Sequence, residues 1–177
     1  VPINVWKQLS AWWYFHGRNF GSRGDSGRKM TQENLALSSV DETKAFGEKI
    51  GQKLPSGSVI ALYGNLGAGK TTFAQGFAIG LQIQEHVGSP TFKLVGEYEG
   101  NPHKLYHIDC YRLDKPADFI AIGGDEYLHP EDGVTLIEWA DKIEPLLPKN
   151  LIRITLKRDP ENANKRDAEI QGIAFKL

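Results

Sequence analysis

Eight residues between an apolar run and an amphipathic stretch, Gly64 to Thr71, read G-N-L-G-A-G-K-T. They match the pattern G-x-x-x-x-G-K-[ST] in full, and that pattern belongs between a buried strand and a helix. Both neighbours are present. "SVIALYG" is a short continuous apolar run of strand type, suited to burial on both faces. After the loop, Phe73, Phe77 and Leu81 recur at helical spacing, and the helix they predict stops near Gly80. The fold class that follows is α/β: a P-loop NTPase-like mixed sheet with flanking helices, in a single domain.

The chemistry of such a loop is phosphate binding. Its glycines permit a backbone in which successive N–H groups point inward, so loop and helix start form a cradle for phosphate oxygens. Gly64, Asn65, Leu66, Gly67, Ala68 and Gly69 supply the loop; Lys70, Thr71 and Thr72 open the helix. Lys70 is expected to reach the β- and γ-phosphates of a nucleoside triphosphate, and the Thr71 hydroxyl to ligate Mg²⁺.

The rest of the chain is consistent with one domain. At 177 residues and 40% hydrophobic composition it can bury one respectable core but not two. A formal net charge of −1 provides no general attraction to nucleic acid or an anionic membrane. Cys110, the only cysteine, has no partner for an internal disulfide, which fits a reducing compartment. No apolar run approaches the ~18 residues of a membrane span. A cytoplasmic location without membrane contact is expected.

Residues 1–29 differ: they are basic, acid-poor and marked by "AWWYF". They read as a disordered leader or a non-native N-terminal extension, with a transit peptide as the alternative. Met30 sits where the compact P-loop domain, 30–177, is expected to begin. From there, Ser39 and Glu42 have capping-box spacing for a helix over 40–53. "GSPTFKLVGEYEGNPHKLYHIDCYRL" predicts a hairpin about "EGNPH", and "DKPADFIAIGGDEYL" a short helix broken by glycines. "GVTLIEWADKI" reads as a buried strand leading into a helix, and the C-terminal end as a second hairpin.

A P-loop needs an acid for its metal, commonly at the end of another buried strand. Two carboxylates qualify, because "LYHIDCY" ends an apolar run at Asp109 and "VTLIEW" ends one at Glu138. Either suits Mg²⁺, directly or through water. "SPT", Ser89 to Thr91, lies where nucleotide switches keep a hydroxyl that senses the γ-phosphate, although it is also ordinary loop material. Trp139 suits either a nucleotide contact or the core. His103, His107 and His129 have no metal-site spacing, and His107 reads as a strand residue. "NKRD", Asn164 to Asp167, mimics a guanine-recognition element but stands in a charged hairpin without an accompanying D-x-x-G, so it reads as a chance match.

The ordered set "GNLGAGKTTF", "SPTF", "LYHIDCYRL" and "IEWADKI" resembles the bacterial TsaE (YjeE) family, P-loop ATPases of threonylcarbamoyladenosine synthesis in tRNA. The resemblance runs from about Ser38 to the C-terminus. It implies that Gly67 to Thr72 bind ATP phosphates and that Thr71 and Glu138 ligate Mg²⁺. Asp109 takes the acidic position near the metal or attacking water, Thr91 belongs to the switch segment, and Trp139 lies by the nucleotide. Arg166 aligns with a basic residue near the nucleotide, and Val40 with a backbone contact to the base. Many members have aspartate where Asn65 stands.

The function implied is ATP hydrolysis in the service of other proteins. Members of the family dock on TsaD and TsaB, and tRNA enters indirectly through that complex. The chain's contents agree, with no evident acyl nucleophile, zinc constellation or RNA-binding motif. Two rival readings are a P-loop small-molecule kinase, for which an arginine-rich lid is lacking, and an ATP-dependent binding module with little hydrolysis.

Overall fold

Each element forms where the spacing of apolar residues meets a local start or stop signal. The computed structural model describes residues 32–173 and Phe175; the expectation for residues 1–29 lies outside them. In chain order the elements are β1 (Gln32–Leu37), α1 (Val40–Gly51), β2 (Val59–Tyr63), α2 (Lys70–Gly80), β3 (Val95–Tyr98), β4 (Lys104–Asp109), α3 (Pro116–Ala121), β5 (Gly133–Glu138), β6 (Ile152–Arg158) and β7 (Arg166–Gln171). Two 3₁₀ helices, Gly124–Leu128 and Ala140–Leu146, flank β5.

The start of α1 is close to the expected box. Ser39 Oγ accepts from the Glu42 amide at 3.1 Å, but the Glu42 carboxylate reaches one residue further back, to the Ser38 amide at 2.7 Å. The helix ends at Gly51 rather than at residue 53. The Lys53 amide bonds the Ile50 carbonyl at 3.1 Å, tightening the last turn into 3₁₀ geometry. Thr43, Phe46 and Ile50 still bury the predicted face.

Both expected hairpins form, β3 with β4 and β6 with β7. One refinement concerns "IEWADKI": Trp139 turns into the left-handed region at φ +56°, and the expected helix follows as a 3₁₀ helix. Pro145 inside it has no amide to continue an α-helical ladder. A second concerns β1, which sequence reasoning missed. Only half of its residues are apolar and its partner, β7, is distant: Leu37 lies opposite Arg166.

The described strands form one seven-stranded sheet in the order β1-β7-β6-β2-β5-β4-β3. The four central strands, β6, β2, β5 and β4, are parallel, and the outer ones are antiparallel. Strand alternation divides the core. Ile60 and Leu62 join Phe46, Phe73 and Phe77 under α1 and α2, while Val59 and Ala61 join Phe119, Leu128 and Ile143 on the other face. Fully burying a side chain such as Phe73 or Phe77 stabilises by about 1.5–3 kcal/mol. This is the expected mixed α/β architecture with helices on the sheet. No described helix is long and apolar enough to cross a membrane.

Candidate nucleotide-binding site

The carboxyl ends of β2, β5 and β4 stand side by side in the sheet, and ligands of open parallel sheets bind at that edge. Beyond β2 the chain turns through the glycine loop. Gly64 has φ +138°, and a Cβ there would lie 2.3 Å from the Leu156 carbonyl oxygen, so no other residue fits without moving β6. Gly69, at φ +105°, turns the chain directly into α2. The first amides of that helix have no partner within it, and its dipole adds positive character. An anion is the natural occupant.

Lys70 is only 5% exposed. Its Nζ donates to the carbonyls of Gly64 at 2.5 Å and Asn65 at 3.1 Å, and stands 3.7 Å from the centroid of the Trp139 ring. Burial pulls the lysine below its ordinary pKa, while the carboxylates of Glu138 and Asp109 act in the opposite direction. Thr71, the next residue, donates from its hydroxyl to Glu138 Oε2 at 3.1 Å.

Glu138 and Asp109 lie opposite each other on β5 and β4, both 2% exposed. Their partners differ. Glu138 faces Thr71, whereas Asp109 Oδ2 accepts from the hydroxyls of Ser89 and Thr91, the latter at 2.7 Å, and Asp109 Oδ1 accepts from the Tyr111 amide at 2.9 Å. The segment "SPT" is thereby tied to the end of β4. Beyond it, Phe92 is 85% exposed under the Arg112 guanidinium, 4.3 Å from its ring centroid.

Arg166 reaches the loop from the far hairpin. Its guanidinium donates to the Gly67 carbonyl at 3.2 Å, and its other terminal nitrogen holds the Ala163 and Lys165 carbonyls. The basic residue inside "NKRD" therefore borders the phosphate loop. Trp139, over Lys70 and 5.0 Å from the Tyr111 ring, borders it too. Val40 begins α1 and is half exposed; on the same side Thr43 borders the loop, its methyl 3.6 Å from where a Gly69 Cβ would stand. Leu66 projects into solvent at the loop's tip.

One residue at the site was not read from the sequence as functional. His107 is fully buried, and its Nε2 is 2.9 Å from Glu138 Oε1. Period-2 alternation from Asp109 places it on the same face, but its proximity to Glu138 depends on pairing between β4 and β5.

Among the described residues, no group of three or more histidines, cysteines or acids could hold a metal alone. Mg²⁺ does not require one. It commonly binds through one or two protein oxygens, water and substrate phosphates, and the Thr71 hydroxyl with the Glu138 carboxylate fits that donor set.

The chain is similar to known proteins of one family. The family model "Threonylcarbamoyl adenosine biosynthesis protein TsaE" matches residues 37–168. The tRNA threonylcarbamoyladenosine biosynthesis protein TsaE of Bacillus subtilis is 45% identical over 129 residues, 73% of this chain and 80% of that protein. The protein of the same name from Treponema pallidum is 43% identical, over 67% of this chain and 87% of that one. A crystal structure of Bacillus subtilis YdiB superposes with a TM-score of 0.69 at 36% identity, covering 82% of this chain and 88% of that one. With three-quarters of its length matched by one family model and close identity to curated members, the chain belongs to the TsaE family of threonylcarbamoyl adenosine biosynthesis proteins.

Proposed function

We propose that this chain is a Mg²⁺-dependent ATPase that acts as a nucleotide switch, supporting a TsaD–TsaB complex as it forms threonylcarbamoyladenosine in tRNA. The observation that carries the reading is the hydrogen bond from Thr71, at the start of α2, to Glu138 at the end of β5. It puts a hydroxyl and a carboxylate beside a phosphate-binding loop, as a Mg²⁺-nucleotide site requires.

The residues divide the work. Gly67 to Thr72 offer amides to the phosphates, and Lys70 exchanges its loop carbonyls for β- and γ-phosphate oxygens. Thr71 and Glu138 hold Mg²⁺, which when bound neutralises charge on those oxygens. Asp109 stands next to Glu138 in the sheet and orients the attacking water. The same carboxylate restrains Ser89 and Thr91, so a change in γ-phosphate contacts moves the segment that ends at exposed Phe92. Arg166 and Trp139 frame the nucleotide from two sides, and the output reaches tRNA only through the partner complex.

The test is phosphate release with ATP and with GTP, alone and with TsaD plus TsaB. ATP turnover stimulated by the partners is expected. Lys70→Ala and Glu138→Ala should each lower turnover by about a hundredfold or more, the scale for removing one transition-state contact. Wild-type turnover in either variant, or no effect of depletion on threonylcarbamoyladenosine in tRNA, would overturn the reading.

A further inference from the structure

Glu138 has two carboxylate oxygens with different partners. Oε2 accepts from the Thr71 hydroxyl, and Oε1 is 2.9 Å from His107 Nε2. A carboxylate at this position only accepts, so Nε2 must carry the hydrogen. The other ring nitrogen, Nδ1, is buried without a hydrogen-bond partner. It is the nitrogen that costs less to leave bare, since a buried N–H with no acceptor forfeits its bond to water.

That unusual arrangement has a cause in the sheet. His107 and Asp109 are two apart on β4, and Asp109 pairs with Glu138 on β5, so all three side chains emerge toward α2. His107 is fully buried beneath the other two. A histidine whose Nδ1 is unsatisfied is a poor choice for packing alone, because a leucine would fill the space without a stranded polar atom. The hydrogen bond it makes is the compensating contact.

We infer that His107 is a positioning residue for the metal site: its Nε2–H holds Glu138 Oε1, so that Oε2 is presented beside Thr71 for Mg²⁺. This rests on the Mg²⁺-ATP reading of the loop. His107 touches neither the metal nor the nucleotide. It acts on the orientation of the ligand, as outer-shell partners of metal sites do, and their loss typically costs about 10–100-fold in metal affinity.

The experiment uses two substitutions of similar polarity and different reach. In His107→Gln the amide nitrogen falls near the place of Nε2 and retains the donor to Glu138. In His107→Asn it falls near Nδ1 and cannot reach. Binding of the non-hydrolysable analogue AMP-PNP is titrated with Mg²⁺ and, separately, in EDTA. His107→Asn should raise the Mg²⁺ concentration for half-maximal binding about tenfold or more, with binding in EDTA within about twofold of wild type, and His107→Gln should recover most of the loss.

An unchanged Mg²⁺ requirement in His107→Asn would overturn the inference. So would equal losses in EDTA and Mg²⁺ shared by both variants, which is the pattern of a structural role. If wild type binds AMP-PNP without any Mg²⁺ dependence, the metal-site reading falls and takes the inference with it; in the other cases that reading stands. A third measurement needs neither variant nor ligand. Imidazole ¹⁵N NMR of the nucleotide-free protein should show the hydrogen of His107 on Nε2, and a hydrogen on Nδ1 alone would refute the assignment.

Discussion

Single residues carry the sharpest information here, and their burial decides how they behave. Lys70 was legible from the motif, but not its resting contacts with Gly64, Asn65 and Trp139. Under the proposed ATPase reading, nucleotide binding exchanges those contacts for phosphate oxygens. Trp139 holds its ring there through a left-handed backbone at φ +56°, an uncommon conformation for a bulky residue that tends to cluster at functional sites. Cys110 shows the opposite use of burial. It follows Asp109 directly but is fully buried, and desolvation, with a smaller contribution from the neighbouring carboxylates, pushes its thiol up to about 12. The reactive thiolate is therefore scarce below that pH. Iodoacetamide at pH 8 should label the native protein far more slowly than the urea-unfolded one; comparable rates, read by mass spectrometry, would contradict the burial.

Between elements, the decisive contact is the crossing of α1 and α2. A Cβ on Gly47 would lie 2.2 Å from the Phe73 carbonyl oxygen, and one on Gly76 would lie 1.9 Å from that of Lys44. Gly51 and Gly80 repeat the approach one turn further on. The helices thus meet backbone to backbone, which brings α1 close enough for Thr43 to border Gly69. Helix propensity alone says Gly76→Ala should stabilise by about 1 kcal/mol. The crossing says otherwise: overpacking of this kind costs about 1–3 kcal/mol. A lower urea midpoint is expected for Gly76→Ala, and a higher one would show that the helices separate at little cost. Both helices space their glycines as G-x-x-x-G, at 47–51 and 76–80, but nothing local says that the two stripes face each other.

At the level of the whole molecule, ligand binding should appear as stability. A ligand that binds only the native state at a hundredfold excess over its Kd stabilises it by about 2.7 kcal/mol. In a domain of this size that raises Tm by about 5–10 °C. Mg²⁺-ATP is expected to produce such a shift in wild type, and Lys70→Ala none at the same concentration. A shift in both would place the nucleotide away from the loop.

The sequence by itself determined the strand, loop and helix around Gly64 to Thr71, and marked Asp109 and Glu138 as acids at strand ends. Those features depend on short-range rules: backbone conformations open to glycine, the period of apolar residues, and hydrogen bonds a few residues apart. It also carried enough ordered motifs to indicate the family. Only the tertiary structure decided which strands are neighbours. That choice sets Asp109 opposite Glu138, slides His107 under the same carboxylate, places β1 against β7, and carries Arg166 to the carbonyl of Gly67 across 99 residues of chain. Such contacts have no local signature, because their partners are selected by sheet register and by burial of the whole core rather than by spacing along the chain.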